Sequence, residues 1–195
     1  MRIALATCLA LLAALPARAE DCTDRARDLV AHEFLGGQPH IARIRTVWNG
    51  IETQSVFRWK SVTHHMTEAI LPEGSPDSMY HDGVYYGSDG RGGWSEFNRT
   101  DPDVARAQAD EIRQTLAANL TSADCVQITH GGAPYTAMTA QVSAFPPYES
   151  DLVSIYFIDE AGDVRAIRQS YKMAGHDMMM EQTLDPAPGL DLPLP

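Results

Sequence analysis

Histidine and methionine recur at a spacing of two residues in three stretches of this sequence, and such pairs could bind a metal ion. The residues are His64, Met66, Met79, His81, His176, Met178 and Met180. Side chains two apart in a strand point to the same face. Imidazole and thioether ligands together suit copper. The spacing therefore predicts, as one alternative, a copper-binding protein, although core-filling methionines and exposed histidines would explain the same residues without a metal.

Motifs that indicate catalysis are absent from the sequence. There is no G-x-S-x-G, H-E-x-x-H or S-x-x-K pattern, and no cysteine lies in a setting typical of a nucleophile. We therefore predict no catalytic residues, no enzymatic activity and no cofactor.

The first nineteen residues have the pattern of a secretory signal peptide. Arg2 provides a positive start, residues 3–15 are apolar, and residues 17–19 (Ala-Arg-Ala) are typical of a cleavage site. We expect cleavage after Ala19 and export to the bacterial periplasm. Cys22 is not in a lipobox, and no later stretch has the length of a membrane span, so we expect a soluble protein with no stable membrane anchor.

The chain is acidic, with 15 Lys and Arg against 26 Asp and Glu. Removal of the signal peptide would take Arg2 and Arg18 with it and leave 13 basic residues against the same 26 acidic ones. So acidic a surface repels nucleic acids, and no cluster of basic residues offsets it. We predict no nucleic-acid partner.

Two cysteines, Cys22 and Cys125, would remain after cleavage. In an oxidising compartment such a pair is more often bridged than free. We predict a disulfide that closes a loop of about a hundred residues and joins an N-terminal helix to a strand near Cys125. Redox catalysis is the weaker interpretation because there is no C-x-x-C motif.

The elements that would position these residues are mostly strands. Residues 43–97 alternate apolar and polar side chains, as at Phe57 to Lys60, and Asp82-Gly83 is a strong hairpin signal, so this run predicts the first half of a curved antiparallel sheet. The second half shows further short runs of strand character. These runs are 125–129, 135–145, 152–158, 164–172 and 178–184.

Two helices are predicted beside this sheet. Thr23 can cap a short helix that ends near Leu35, before two glycines. Asp101 and Pro102 mark the start of a longer helix that extends to about Leu120 and has an alanine-rich apolar stripe, which we expect to face the core. Together the elements predict a single α+β domain over residues 20–184, followed by a proline-rich tail over 185–195.

Three segments resemble a known family. They are residues 80–86 (YHDGVYY), residues 155–159 (IYFID) with Gly162, and residues 190–193 (LDLP). With the order of helix, strands, helix and antiparallel strands, they are similar to the periplasmic outer-membrane lipoprotein carriers and related mycobacterial lipid-binding lipoproteins. The resemblance implies an open antiparallel half-barrel wrapping around two helices, with an apolar cavity for acyl chains. The functional arginine of the carriers has no clear counterpart in this sequence.

Aromatic side chains of the predicted sheet are the candidates for lining such a cavity. They are Trp48, Phe57, Trp59, Tyr86, Tyr156 and Phe157. If the two helices leave part of this apolar surface uncovered, it could take a lipid-like ligand. If the helices cover it, these side chains are ordinary core.

The resulting prediction is a periplasmic binding protein for a hydrophobic small molecule, a lipid, or the acyl chains of a lipidated protein, without catalysis. Copper binding through the His/Met pairs is the first alternative. The second is a protein-interaction module that binds along the open edges of its sheet and has no small ligand.

Overall fold

The computed structural model describes residues 19–32 and 34–195. It contains two α-helices, a short 3₁₀ turn at Phe34–Gly37 and eleven strands. The predicted signal peptide falls almost wholly on residues 1–18, outside the described residues, and it stays a prediction.

The elements follow one another with short connections. The helices are α1 (Ala19–Ala31) and α2 (Pro102–Ala118). The strands are β1 (His40–Trp48), β2 (Ile51–Ser61), β3 (His64–Leu71), β4 (Ser78–His81), β5 (Val84–Ser88), β6 (Trp94–Arg99), β7 (Leu120–His130), β8 (Ala133–Val142), β9 (Leu152–Ile158), β10 (Val164–Met173) and β11 (His176–Pro186).

All eleven strands form one antiparallel sheet in the order β6-β5-β4-β3-β2-β1-β11-β10-β9-β8-β7. Strands β1 to β6 form one meander, β7 to β11 form a second, and the pairing of β1 with β11 joins the two. In this seam His40 lies opposite Pro186 and Trp48 lies opposite Met178. The sheet does not close, because β6 and β7 remain edge strands. The predicted α+β fold with an open antiparallel sheet and two helices is confirmed.

One face of the sheet, which we call the core face, packs against α1. It carries Ala42, Met138, Tyr156 and Ile167, each at most 3% exposed, and Ala26 of α1 lies in the same cluster. The predicted disulfide is confirmed: Cys22 in α1 and Cys125 in β7 are bridged, with Cα atoms 5.9 Å apart. The bridge therefore fastens α1 to the edge of the second meander.

Helix α2 begins as predicted but packs differently from the expectation. Asp101 caps it by accepting a hydrogen bond from the amide of Asp103 at 2.8 Å. Only its last turn, through Leu116 and Ala117, contacts the core, while Ile112 is 54% exposed. The reason is that α2 lies against α1 more than against the sheet. Neither helix in the described part of the chain is long and apolar enough to cross a membrane.

The opposite face, which we call the arginine face, carries Arg43, Arg45 and Arg168. Register places Glu181 of β11 directly between Arg45 of β1 and Arg168 of β10. Basic and acidic side chains on neighbouring strands therefore face each other along the seam of the sheet.

The C-terminal segment is ordered against the first meander. Strand β11 continues to Pro186, two residues beyond the predicted strand end. Beyond it, Asp191 pairs with Lys60 at 2.9 Å, and Leu192 is only 5% exposed. The tail thus returns to the β2–β3 turn.

Candidate ligand-binding cavity

A cavity of about 870 Å³ lies over the four central strands β2, β1, β11 and β10. The outward-pointing residues of these strands that line it include Arg43, Val56, Arg168 and Glu181, so the cavity opens mainly on the arginine face. Its volume falls in the range of about 300–1,000 Å³ that is typical of small-molecule sites.

Curvature of the sheet creates this cavity. Ile70 of β3 and His130 of β7 both line it, although six strands separate β3 from β7 in the sheet. A flat sheet would hold these two strands far apart, because neighbouring strands are spaced by about 4.8 Å. The sheet therefore bends far enough to bring Ile70 of β3 and His130 of β7 to one concavity.

The lining combines an apolar floor with a charged rim. Val56, Ile70, Tyr135 and Phe157 are among the apolar side chains that line the cavity. Arginine and acidic side chains surround them. These are Arg43, Arg45, Arg165, Arg168, Glu181 and Asp185. This arrangement can hold an amphiphile, because an apolar chain can lie on the floor while a polar group meets the rim.

Ion pairs organise the rim. Arg45 donates to Glu52 at 2.7 Å and to Glu181 at 3.3 Å, and Arg168 donates to the same Glu181 at 2.8 Å. Arg43 pairs with Asp185. The hydrogen bond from Arg45, followed by one from Gln54, lowers the pKa of Glu52, and the hydrogen bond to Glu52 raises the pKa of Arg45. The rim arginines are therefore held by carboxylates that a ligand's anionic group could replace.

Arg165 is positioned by the tight turn between β9 and β10. It donates to Asp159 at 2.6 Å and to Asp163 at 3.0 Å, and a β-bulge at this point of β10 turns its side chain toward the cavity. Burial alone would raise the pKa of Asp159, but the hydrogen bonds from Arg165 and from the Asp163 amide lower it below its ordinary value.

The six aromatic residues proposed from the sequence are divided between the two faces. Phe157 lines the cavity, and Tyr86 shares the arginine face at the β4–β5 hairpin. The other four lie on the core face. They are Trp48 beside His176, Phe57 against the core cluster, Trp59 stacked on His40 at 5.2 Å, and Tyr156 at 3% exposure. A ligand-binding role for these five outside the cavity stays a prediction.

On the core face, an aromatic row continues across the first meander. Its ring centroids follow one another at 4.7–6.1 Å through Phe57, His65, Tyr80, Tyr85 and Phe97. The Nδ1 atom of His65 and the hydroxyl of Tyr80 are buried there with no hydrogen-bond partner within 3.5 Å. Burial raises the pKa of Tyr80 and lowers that of His65.

The seven His and Met residues proposed as metal ligands also separate into two groups. His64 lies opposite His81, and Met66 lies opposite Met79, on the paired strands β3 and β4. The remaining three, His176, Met178 and Met180, lie on β11 on the core face, where Met178 faces Trp48 and Tyr171. Two strands, β2 and β1, separate the groups.

The rim residues of the cavity were not anticipated from the sequence. The signal for them is the alternation of Arg43 and Arg45 in β1 and the presence of Glu181 and Asp185 near the C-terminus. This signal becomes interpretable only when the β1–β11 register is known, because these residues are far apart in the chain.

Comparison of the sequence with protein-family models and with characterised proteins gives no match. The fold, however, matches that of a solved structure, the lipoprotein LppX of Mycobacterium tuberculosis, with a TM-score of 0.53 and 11% sequence identity over 85% of this chain and 95% of that one. The resemblance predicted from the sequence is thus confirmed for the fold.

Two other structures align over 89% of this chain and 95% of their own. A putative outer membrane lipoprotein-sorting protein domain from Vibrio parahaemolyticus has a TM-score of 0.36 at 10% identity. A DUF1329 family protein from Desulfovibrio piger has a TM-score of 0.38 at 9% identity.

Proposed function

We propose that this protein binds an amphiphilic ligand, a lipid or the acyl part of a lipoprotein, in the cavity of the arginine face, and releases it unchanged. The observation that carries the proposal is a concavity of about 870 Å³ with an apolar floor and paired arginines at its rim.

The physical argument rests on the division of the lining. Covering the side chains of Val56, Ile70 and Phe157 with an acyl chain removes apolar surface from water, which is worth about 25 cal/mol per Å². An anionic head group would meet Arg43 or Arg168, whose carboxylate partners lie at the exposed rim. The acyl chain of the ligand would provide most of the affinity, and its head group would determine the orientation.

A matched pair of substitutions tests the proposal. Ile70 and Ile51 are both exposed isoleucines of the same sheet, at 45% and 61%, but only Ile70 lines the cavity. We expect Ile70→Glu to weaken binding of a fluorescent fatty acid by about tenfold or more, because the new glutamate carboxylate would lose its water when the acyl chain of the ligand packs against it. Ile51→Glu should bind like the parent protein.

Fluorescence titration at fixed pH and ionic strength measures both affinities. Equal binding by the two variants and the parent would place the ligand elsewhere. Failure of the parent to bind the fatty acid at all would remove the acyl chain as the ligand.

We further infer that the protein works in the periplasm after removal of residues 1–19. The Cys22–Cys125 bridge supports an oxidising compartment, since disulfides seldom persist in a reducing cytosol. Intact-mass measurement of the exported protein should give the mass of a chain that begins at Glu20, less two hydrogens relative to the same chain with reduced cysteines. A retained N-terminus or two free thiols would contradict the inference.

A further inference from the structure

We propose that His64, Met66, Met79 and His81 form a binding site for a soft metal ion, Cu(I). The four residues occupy two successive cross-strand pairs of β3 and β4, with His64 opposite His81 and Met66 opposite Met79. All four project from the arginine face, because residues two apart in a strand share a face. Directly opposed Cβ atoms in antiparallel strands lie about 4.5–5.5 Å apart, so the four side chains project from one small area of the sheet surface.

The two imidazoles are in contact. The ring centroids of His64 and His81 are 4.5 Å apart, with the planes at 66°. Side chains at this separation can meet a common ion by small rotations about χ1 and χ2. The geometry thus supplies two nitrogen ligands without any movement of the backbone.

One of these imidazoles has a nitrogen with no partner in the protein. His64 is 9% exposed, and its Nε2 is buried with no hydrogen-bond partner within 3.5 Å, although the backbone of Pro193 lies beside the ring. Buried polar atoms nearly always have a partner, so one left without needs an explanation. A metal ion bound at Nε2 provides it.

The surroundings favour a soft ion over a hard one. Met79 is 1% exposed and Leu192 is 5% exposed, and the backbone of Pro193 reaches the His64 ring, so the C-terminal tail shields this patch from water. The Asp82 carboxylate lies 3.7 Å from Nε2 of His81, and its negative charge favours a cation at this patch. Lys60, paired with Asp191, is the nearby cation.

No carboxylate belongs to the ligand set itself. Across residues 19–32 and 34–195 there is no group of three or more His, Cys, Asp or Glu side chains placed to hold a metal ion. Magnesium, calcium and structural zinc sites need such groups. Two imidazoles with two thioethers are instead a set that selects Cu(I).

The same spacing on β11 provides an internal control. His176 and Met178 are also two residues apart, but Met178 faces Trp48 and Tyr171, and no second imidazole lies opposite His176. The same two-residue spacing therefore occurs on β3, β4 and β11, whereas the register of the sheet brings together only the pairs on β3 and β4.

Anaerobic titration of the protein with Cu(I) in competition with bicinchoninate tests the proposal. We expect one equivalent bound with a submicromolar dissociation constant. His81→Gln should weaken binding by about tenfold or more, and Met66→Leu, which nearly conserves volume, should weaken it severalfold. The double variant His176→Gln, Met178→Leu should bind like the parent.

X-ray absorption at the copper edge gives a second readout that does not depend on affinity. The parent protein should show both nitrogen and sulfur scatterers, and the sulfur contribution should fall in Met66→Leu. Binding no tighter than micromolar, an equal loss in the β11 double variant, or a copper spectrum without sulfur would each overturn the proposal. None of these outcomes bears on fatty-acid binding in the cavity, which is measured separately.

Discussion

One carboxylate, Glu181, joins two arginines at the rim of the proposed ligand cavity. Glu181 accepts hydrogen bonds from Arg45 and from Arg168, two arginines that belong to strands on either side of β11. Arg45 keeps a second partner in Glu52, whereas Arg168 is 56% exposed and depends on Glu181. Removing the charge of Glu181 would therefore free mainly Arg168.

In the proposed site, Glu181 would compete with an anionic amphiphile for Arg168. We predict that Glu181→Gln tightens binding of a fluorescent fatty acid by roughly two- to fivefold at low salt, because Arg168 becomes free to meet the carboxylate of the fatty acid. The fold should tolerate the change, since exposed ion pairs contribute little to stability. Titrations at about 10 mM and 500 mM salt should show the gain disappear at the higher ionic strength.

Glu68→Gln is the matched control. Glu68 pairs with Arg58 at 2.8 Å on the same face, but neither residue lines the cavity. A similar gain in this control would mean that overall charge, and not the rim, sets the affinity.

At the scale of elements, the β9–β10 turn is stabilised by one side chain. Asp159 accepts hydrogen bonds from the amides of Ala161 and Asp163 and from Arg165, and it also holds Arg165 at the edge of the cavity. Its lowered pKa means that the ionised form is favoured in the folded state. Its contribution is therefore present above the pKa of the unfolded chain, near 3.9, and is lost as the pH falls through the lower folded value.

We predict that Asp159→Asn lowers the free energy of unfolding by about 1–2 kcal/mol at pH 7, because charge-assisted hydrogen bonds are lost. The gap between parent and variant should narrow when the pH falls from 7 to about 3, below the unfolded pKa, because the stability contributed by the ionised Asp159 carboxylate declines there. Denaturant titrations at the two pH values measure the difference in the free energy of unfolding between parent and variant.

Glu160→Gln, an exposed change in the same turn, is the control and should differ little from the parent in stability at either pH. A gap that is the same at both pH values would contradict this account.

Elements with strong local signals were predictable from the sequence. Asp101 and Pro102 marked the start of α2 correctly, Asp82-Gly83 forms the β4–β5 turn with Asp82 at a φ of 43°, and the Cys22–Cys125 bridge followed from the cysteine count. These features depend on neighbouring residues or on the compartment alone.

The position of the cavity was not predictable in the same way. Tyr156 and Phe157 were both proposed as lining residues, yet adjacent residues of a strand point to opposite faces, so one is core and the other lines the cavity. Which face becomes concave depends on the twist of eleven strands together.

The contact between His64 and His81 was also not predictable from the sequence. A slip of one residue in the β3–β4 register would separate the two histidines, and spacing along the chain does not determine register.

At the scale of the whole molecule, the end of the chain reinforces its first half. The tail runs from β11 back to the β2–β3 turn, where Leu192 is buried and Asp191 meets Lys60. Leu192 lies outside the main core cluster, so it anchors a separate part of the structure.

We predict that Leu192→Ala lowers the free energy of unfolding by about 2–4 kcal/mol, because a fully packed leucine is replaced by a cavity. Leu194→Ala, two residues further on and 71% exposed, should change it by no more than about 0.5 kcal/mol. Thermal and denaturant unfolding of the two variants provides the comparison. Equal stability of both would show that the tail contributes nothing to the fold.

The joining of β1 to β11 also determines when this chain can fold. Each meander can grow from local hairpins, but the seam brings together strands from the two ends of the described chain, and such long-range closure is slow. Until β11 is available, β1 is an unpaired edge that can associate with other chains. A chain that emerges N-terminus first therefore completes its sheet only with its last strand, and we expect aggregation to compete with folding most strongly just before that step.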